Sequence, residues 1–155
     1  MKRLNLPEYQ FRIGGEEGKI HIFDEIRKKY VALTPEEWVR QNFLKFLVTE
    51  LDYPAGLLAV EYEISVNNLS KRCDAVVFSR LGKPAMILEF KAPDVRLNKA
   101  VFEQITVYNM KLGVNYLTIS NGMKHYCCML DPKKRSYRFL QKIPDFSELH
   151  ELEDI

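Results

Sequence analysis

Cysteine and histidine are scarce and scattered: Cys73, Cys127 and Cys128, with His21, His125 and His150, are the whole supply in 155 residues. No pair has the spacing of a zinc knuckle, and neighbours such as Cys127 and Cys128 point to opposite faces of a strand and rarely bridge. Reduced, buried thiols are expected. Neither charge sign is in excess: 23 basic and 21 acidic residues leave +2, so contact with a polyanion must come from a local patch. The roughly 20-residue apolar run that crosses a bilayer is missing, as is the apolar block of a secretory leader in MKRLNLPEYQ. A cytoplasmic location with no membrane partner is expected. There is no internal repeat, no low-complexity linker and no GxxxxGK[ST] loop to cradle a nucleotide phosphate.

What is there suits one domain with a real core, at 46% hydrophobic and 12% aromatic content. Its expected parts are an extension (1–33), a core (34–142) and an acidic tail (143–155). In the extension, YQFRI and KIHIFDEI flank GGEEG and read as a hairpin outside the main core. Thr34 as N-cap, Pro35 at the first helical position and Glu37 completing a capping box predict a helix over 35–51. Val39, Phe43, Phe46 and Leu47 mark its packing side, with Arg40, Gln41, Lys45 and Glu50 mostly elsewhere. LLAVEYEISV, KRCDAVVFS and PAMILEFKA predict three strands, the last two a hairpin about LGKP. Val101, Ile105, Tyr108 and Leu112 predict a second helix over 98–112, stopped by Gly113. VNYLTIS and KHYCCML then flank an Asn-Gly turn. A basic tract (Lys133, Lys134, Arg135, Arg138, Lys142) follows, with a last strand near Tyr137, and Phe146, Leu149 and Leu152 predict a short docked helix. The order αβββαβ predicts an α/β (mixed α+β) fold, a central mixed sheet flanked by helices.

Three charges on the predicted strands need a physical reason, because a buried ionised group is costly unless paired, hydrogen-bonded or metal-bound. Asp74 lies in RCDAVVF, and Glu89 and Lys91 lie in MILEFKAP. Strand alternation sends Glu89 and Lys91 to one face and Phe90 into packing on the other. Pairing the two strands sets Asp74 beside Glu89, and converging carboxylates call for a cation. Magnesium, or manganese, accepts such oxygens while keeping several waters, with the Phe90 carbonyl as a further ligand. Such an ion suits phosphodiester hydrolysis, with Lys91 orienting water or steadying the phosphorane. The plainer reading is an ordinary Glu89–Lys91 ion pair with Asp74 capping a turn. Glu36 heads the inward stripe of the first helix and reaches toward the same site, or else simply favours the positive helix end. Gln104 and Tyr108, four apart, share one face of the second helix.

Taken together, Glu36, Asp74, Glu89-Phe90-Lys91 and Gln104 with Tyr108, in this order of elements, resemble the PD-(D/E)XK nuclease superfamily. Over residues 34–130, LTPEEWVRQ, RCDAVVF, ILEFKAP, FEQITVYN and LTISNG are similar to the N-terminal nuclease domain of type I restriction enzyme restriction subunits, and the Gln-x-x-x-Tyr spacing resembles RecB-like nucleases. The resemblance implies a restriction endonuclease-like core and a DNA endonuclease. It implies Asp74 and Glu89 as magnesium ligands, Lys91 as catalytic lysine, and Gln104 and Tyr108 flanking a DNA-side helix. Cys73-Asp74 stands where the family has Pro-Asp. ATP-driven translocation does not carry over, so separate motor or specificity proteins are expected partners beside DNA, and a homodimer would supply two cutting sites. The alternative function is a non-catalytic module on this fold that binds nucleic acid or protein. Lys71, Arg72, Arg96 and Lys99 are further candidates for phosphate contact.

Overall fold

The computed structural model describes residues 1–131 and 136–153. Its N-terminal part is a three-stranded antiparallel sheet, β1 (Ile13–Glu16), β2 (Lys19–Asp24) and β3 (Lys29–Ala32). The remainder is built on a six-stranded sheet. Its strands are β4 (Leu58–Val66), β5 (Leu69–Phe78), β6 (Pro84–Phe90), β7 (Tyr116–Ser120), β8 (His125–Asp131) and β9 (Ser136–Phe139), side by side in that order. All neighbours are antiparallel except β6 and β7. That parallel pair requires a crossover, and the helix α2 (Lys99–Leu112) supplies it.

Helices cover both faces of this sheet. Val39, Phe43 and Leu47 of α1 (Pro35–Glu50) pack on Ala75, Val77, Met86, Leu88 and Phe90. On the other face Val76, Ile87, Leu117 and Ile119 meet Phe102, Ile105, Tyr108 and Leu112 of α2. Each large apolar side chain so buried contributes about 1.5–3 kcal/mol. The helix boundaries follow their signals: Thr34 Oγ1 accepts the Glu37 N–H at 3.0 Å, Asn98 caps α2, and Gly113 ends it with φ of 71°. In the tail, α3 (Phe146–Glu153) buries Phe146 and Leu149, and the Tyr53 hydroxyl donates to Pro144 O at 2.8 Å. Lys133, Lys134 and Arg135 of the basic tract lie outside the described residues, as does the side chain of Leu152.

Two expectations are corrected. The extension is a three-stranded meander, not a hairpin, because the four-residue β3 is too short to announce itself. Of GGEEG, only Glu17 and Gly18 form the turn; Gly15 lies in β1, where a Cβ would stand 2.1 Å from Lys19 O. Within this part Ile22 and Asp24 are both fully buried, and Ile22 belongs to neither of the two core clusters. Finally, Arg40 and Gln41 do not face solvent, and Glu37 does not close a capping box. Arg27 Nη2 donates to Glu37 at 2.8 Å, Arg40 Nε at 3.0 Å and Gln41 Nε2 at 2.9 Å. Two guanidiniums outbid a neutral backbone N–H for a carboxylate, since charge-assisted bonds are about twice as strong.

Candidate metal centre

The β5–β6 ladder sets Ala75 opposite Leu88, and one step further the same register carries Asp74 to Glu89. Asp74 Oδ2 accepts the Phe90 N–H at 2.7 Å, so this carboxylate is fixed to the backbone of the Glu89 strand. On the β4 side Val60 pairs with Ala75 and Tyr62 with Cys73, while Glu61 between them turns left-handed at φ of 53°. Asp74 thus sits at a break in the ladder, where a strand side chain gains room. The Phe90 ring packs on Phe43 of α1, centroids 5.5 Å apart, which sends Glu89 the opposite way by strand alternation.

Glu89 is only 8% exposed. Burial, and then the charge of Asp74, push its carboxyl up to about 7, against the opposing pull of Lys71. Its ion-pair partner is Lys71, whose ammonium contacts Glu89 Oε1. This corrects the plainer reading of the strand, in which Lys91 paired with Glu89. Lys91 lies one residue past β6, its N–H on Ser120 O at 2.9 Å, and its charge acts on Glu36 instead.

Glu36 stands exposed at the head of α1. Partial desolvation, then Asp74, raises its carboxyl above the ordinary range, with Lys91 and Arg40 acting the other way. Of the two adjacent acids, Glu36 is therefore in the field of Asp74 and Lys91, whereas Glu37 is held by Arg27, Arg40 and Gln41. Tyr108 is brought in as well: its hydroxyl donates to Ser70 O at 2.8 Å, and the Lys71 ammonium lies 5.5 Å from its ring centroid. Gln104, one turn earlier, is exposed, and no hydrogen bond among the described residues ties it to the carboxylates.

Lys71 is a participant that the sequence offered only as a candidate phosphate contact. The rule that a buried carboxylate needs a cation points to a lysine, but Lys91, two residues away on the same strand, satisfies that rule equally well on paper.

The donor set fits a hard divalent cation. Two carboxylates converge, a strand carbonyl is adjacent at Phe90, and the neighbouring thiol of Cys73 is pushed up to about 12 by burial and then by Glu89, so no thiolate competes. No group of three or more His, Cys, Asp or Glu is preassembled among the described residues. An ion held by so few protein ligands keeps several waters, as magnesium does.

A six-stranded mixed sheet with helices on both faces defines a mixed α+β domain, and paired carboxylates at a broken strand mark its candidate site. The family model for the type I restriction enzyme R protein N terminus matches residues 35–144, and the chain belongs to that family. A fragment described as an HsdR subunit of a type I restriction enzyme from Vibrio vulnificus YJ016 shares the fold, with a TM-score of 0.54 and 17% identity over 77% of this chain and 25% of that one. A DrdV–DNA complex solved by cryo-EM is similar at a TM-score of 0.45 and 16% identity, covering 78% of this chain and 11% of that one. The chain therefore spans a quarter or less of these structures. No curated protein matches it.

Proposed function

We propose that this chain is a magnesium- or manganese-dependent DNA endonuclease domain that hydrolyses phosphodiester bonds. The observation that carries the reading is the convergence of Asp74 and Glu89 at the β5–β6 junction, with Glu89 buried and its carboxyl raised to about 7. Family membership supports it, because the matched R-protein N terminus spans both carboxylates.

Asp74, Glu89 and the Phe90 carbonyl would hold the ion. Bound there, it supplies positive charge to the phosphoryl oxygens and lowers the pKa of its water. Lys91 orients the attacking water or steadies the charge that develops on the phosphorane. Glu36, partly desolvated and in the field of Asp74, positions water at the rim of the site. Tyr108 braces the β5 backbone through Ser70 O, and Gln104 extends the same helix face toward DNA. Motor and specificity functions reside on separate chains or segments, and the setting is the cytoplasm.

The test is magnesium-stimulated cleavage of duplex, branched or single-stranded DNA by the purified chain, alone and with any partner chains. Asp74→Ala should abolish it, and cleavage that persists unchanged in that variant removes the assignment. One observation favours a second reading, a binding module without catalysis: Lys71 already neutralises Glu89. DNA affinity with no heat of manganese binding by calorimetry selects the module.

A further inference from the structure

We propose that Lys71 is a built-in counter-cation that a divalent ion must displace from Glu89, and that Lys71 thereby weakens metal binding and sets the concentration at which the site loads. This rests on the metal-centre reading above and deepens it with a positioning residue outside the motif.

The geometry sets Lys71 between two partners. Its ammonium contacts Glu89 Oε1 on one side and lies 5.5 Å from the Tyr108 ring centroid on the other. An aromatic face attracts a cation at that distance. The ring is itself held, since the Tyr108 hydroxyl donates to Ser70 O, one residue before Lys71, at 2.8 Å. The lysine can therefore leave the carboxylate without leaving its anchor. Its side chain is 20% exposed, enough for water and an ion to reach the contact.

Charge makes the competition unavoidable. With every group ionised, Asp74, Glu89 and Glu36 bring three negative charges, and Lys71 and Lys91 return two positive ones. A divalent ion arriving between Asp74 and Glu89 must take an oxygen that Lys71 occupies and then share the site with a like charge. Without Lys71 the same ion meets an uncompensated pair of carboxylates. A purely structural lysine predicts the opposite: by orienting Glu89 it would strengthen metal binding, and its loss would weaken it.

The two alternatives separate in sign. Manganese binding to the full chain is measured by calorimetry and by the loss of the free-ion paramagnetic resonance signal, with folding checked by circular dichroism. Lys71→Met should bind manganese about tenfold more tightly than the wild type, equivalent to about 1.4 kcal/mol. Lys71→Arg, which keeps the charge, should stay near the wild-type value, and Lys71→Gln replaces the methionine variant if that does not fold. Unchanged or weaker binding in the neutral variants, with the wild type still binding, overturns the role of Lys71 and leaves the metal centre standing. If neither wild type nor neutral variants take up manganese at millimolar concentration, the metal centre and this inference fall together.

Discussion

Glu89 is a carboxyl whose environment favours its protonated form. Burial and Asp74 raise it from 4.5 to about 7, so the folded protein binds this proton more tightly than the unfolded chain. The stability linked to it is fully present below the unfolded value and is lost as pH rises through the folded one. In metal-free protein the melting temperature should therefore decline between about pH 5 and pH 7.5, by the sign of this linkage. Glu89→Gln should flatten the decline, and manganese should restore stability at the upper end of the range. A decline of equal slope in the glutamine variant would assign the effect to another group. The carboxylates and their order were legible in the sequence because charge on a hydrophobic strand is conspicuous. The cation that satisfies Glu89 was not, because choosing Lys71 over Lys91 depends on how far β5 and β6 overlap.

At the scale of elements, α2 shows what local signals accomplish and what they leave open. Asn98 Oδ1 accepts the Val101 N–H at 2.9 Å, and Asn98→Ala should cost about 1 kcal/mol in chemical denaturation, the usual worth of an N-cap. The periodicity that predicted the helix also predicted its apolar stripe, yet it said nothing of Asn109. This side chain is fully buried, and neither its amide nitrogen nor its oxygen has a partner among the described residues. Asn109→Leu should raise stability by about 1 kcal/mol, since an unpaired buried amide carries an uncompensated desolvation cost. A loss of stability would mean the site cannot take a branched apolar side chain. The start of α1 was similarly readable at Thr34, whereas the destination of the Glu37 side chain was set by arginines, one of them in the turn between β2 and β3.

Across the whole molecule, one polar network joins the N-terminal sheet to the rest. Arg27 contacts Asp24, reaches Glu37 at 2.8 Å and Glu61 at 3.5 Å, and Arg72 meets Glu61 at 3.0 Å. Asp24 is completely buried, so removing its partner strands a charge. Arg27→Met should destabilise the protein by about 3 kcal/mol, the lower end for breaking a buried pair. We propose that the chain is one cooperative domain. Calorimetric and van't Hoff enthalpies should then agree, and two resolved transitions would show the extension to be a separate unit. Among the described residues no helix is long and apolar enough to cross a membrane.

The sequence by itself determined the ends of α1 and α2, the strand runs of the six-stranded sheet, the fold class and the identity of the two converging carboxylates. Those depend on capping, periodicity and the cost of burying charge, which are properties of short segments. Only the tertiary structure decided that the N-terminal part has a third strand, that Glu37 is claimed by arginines, and that Lys71 rather than Lys91 pairs with Glu89. Each depends on which groups the fold brings within reach of one another, and that distance is encoded in no local pattern.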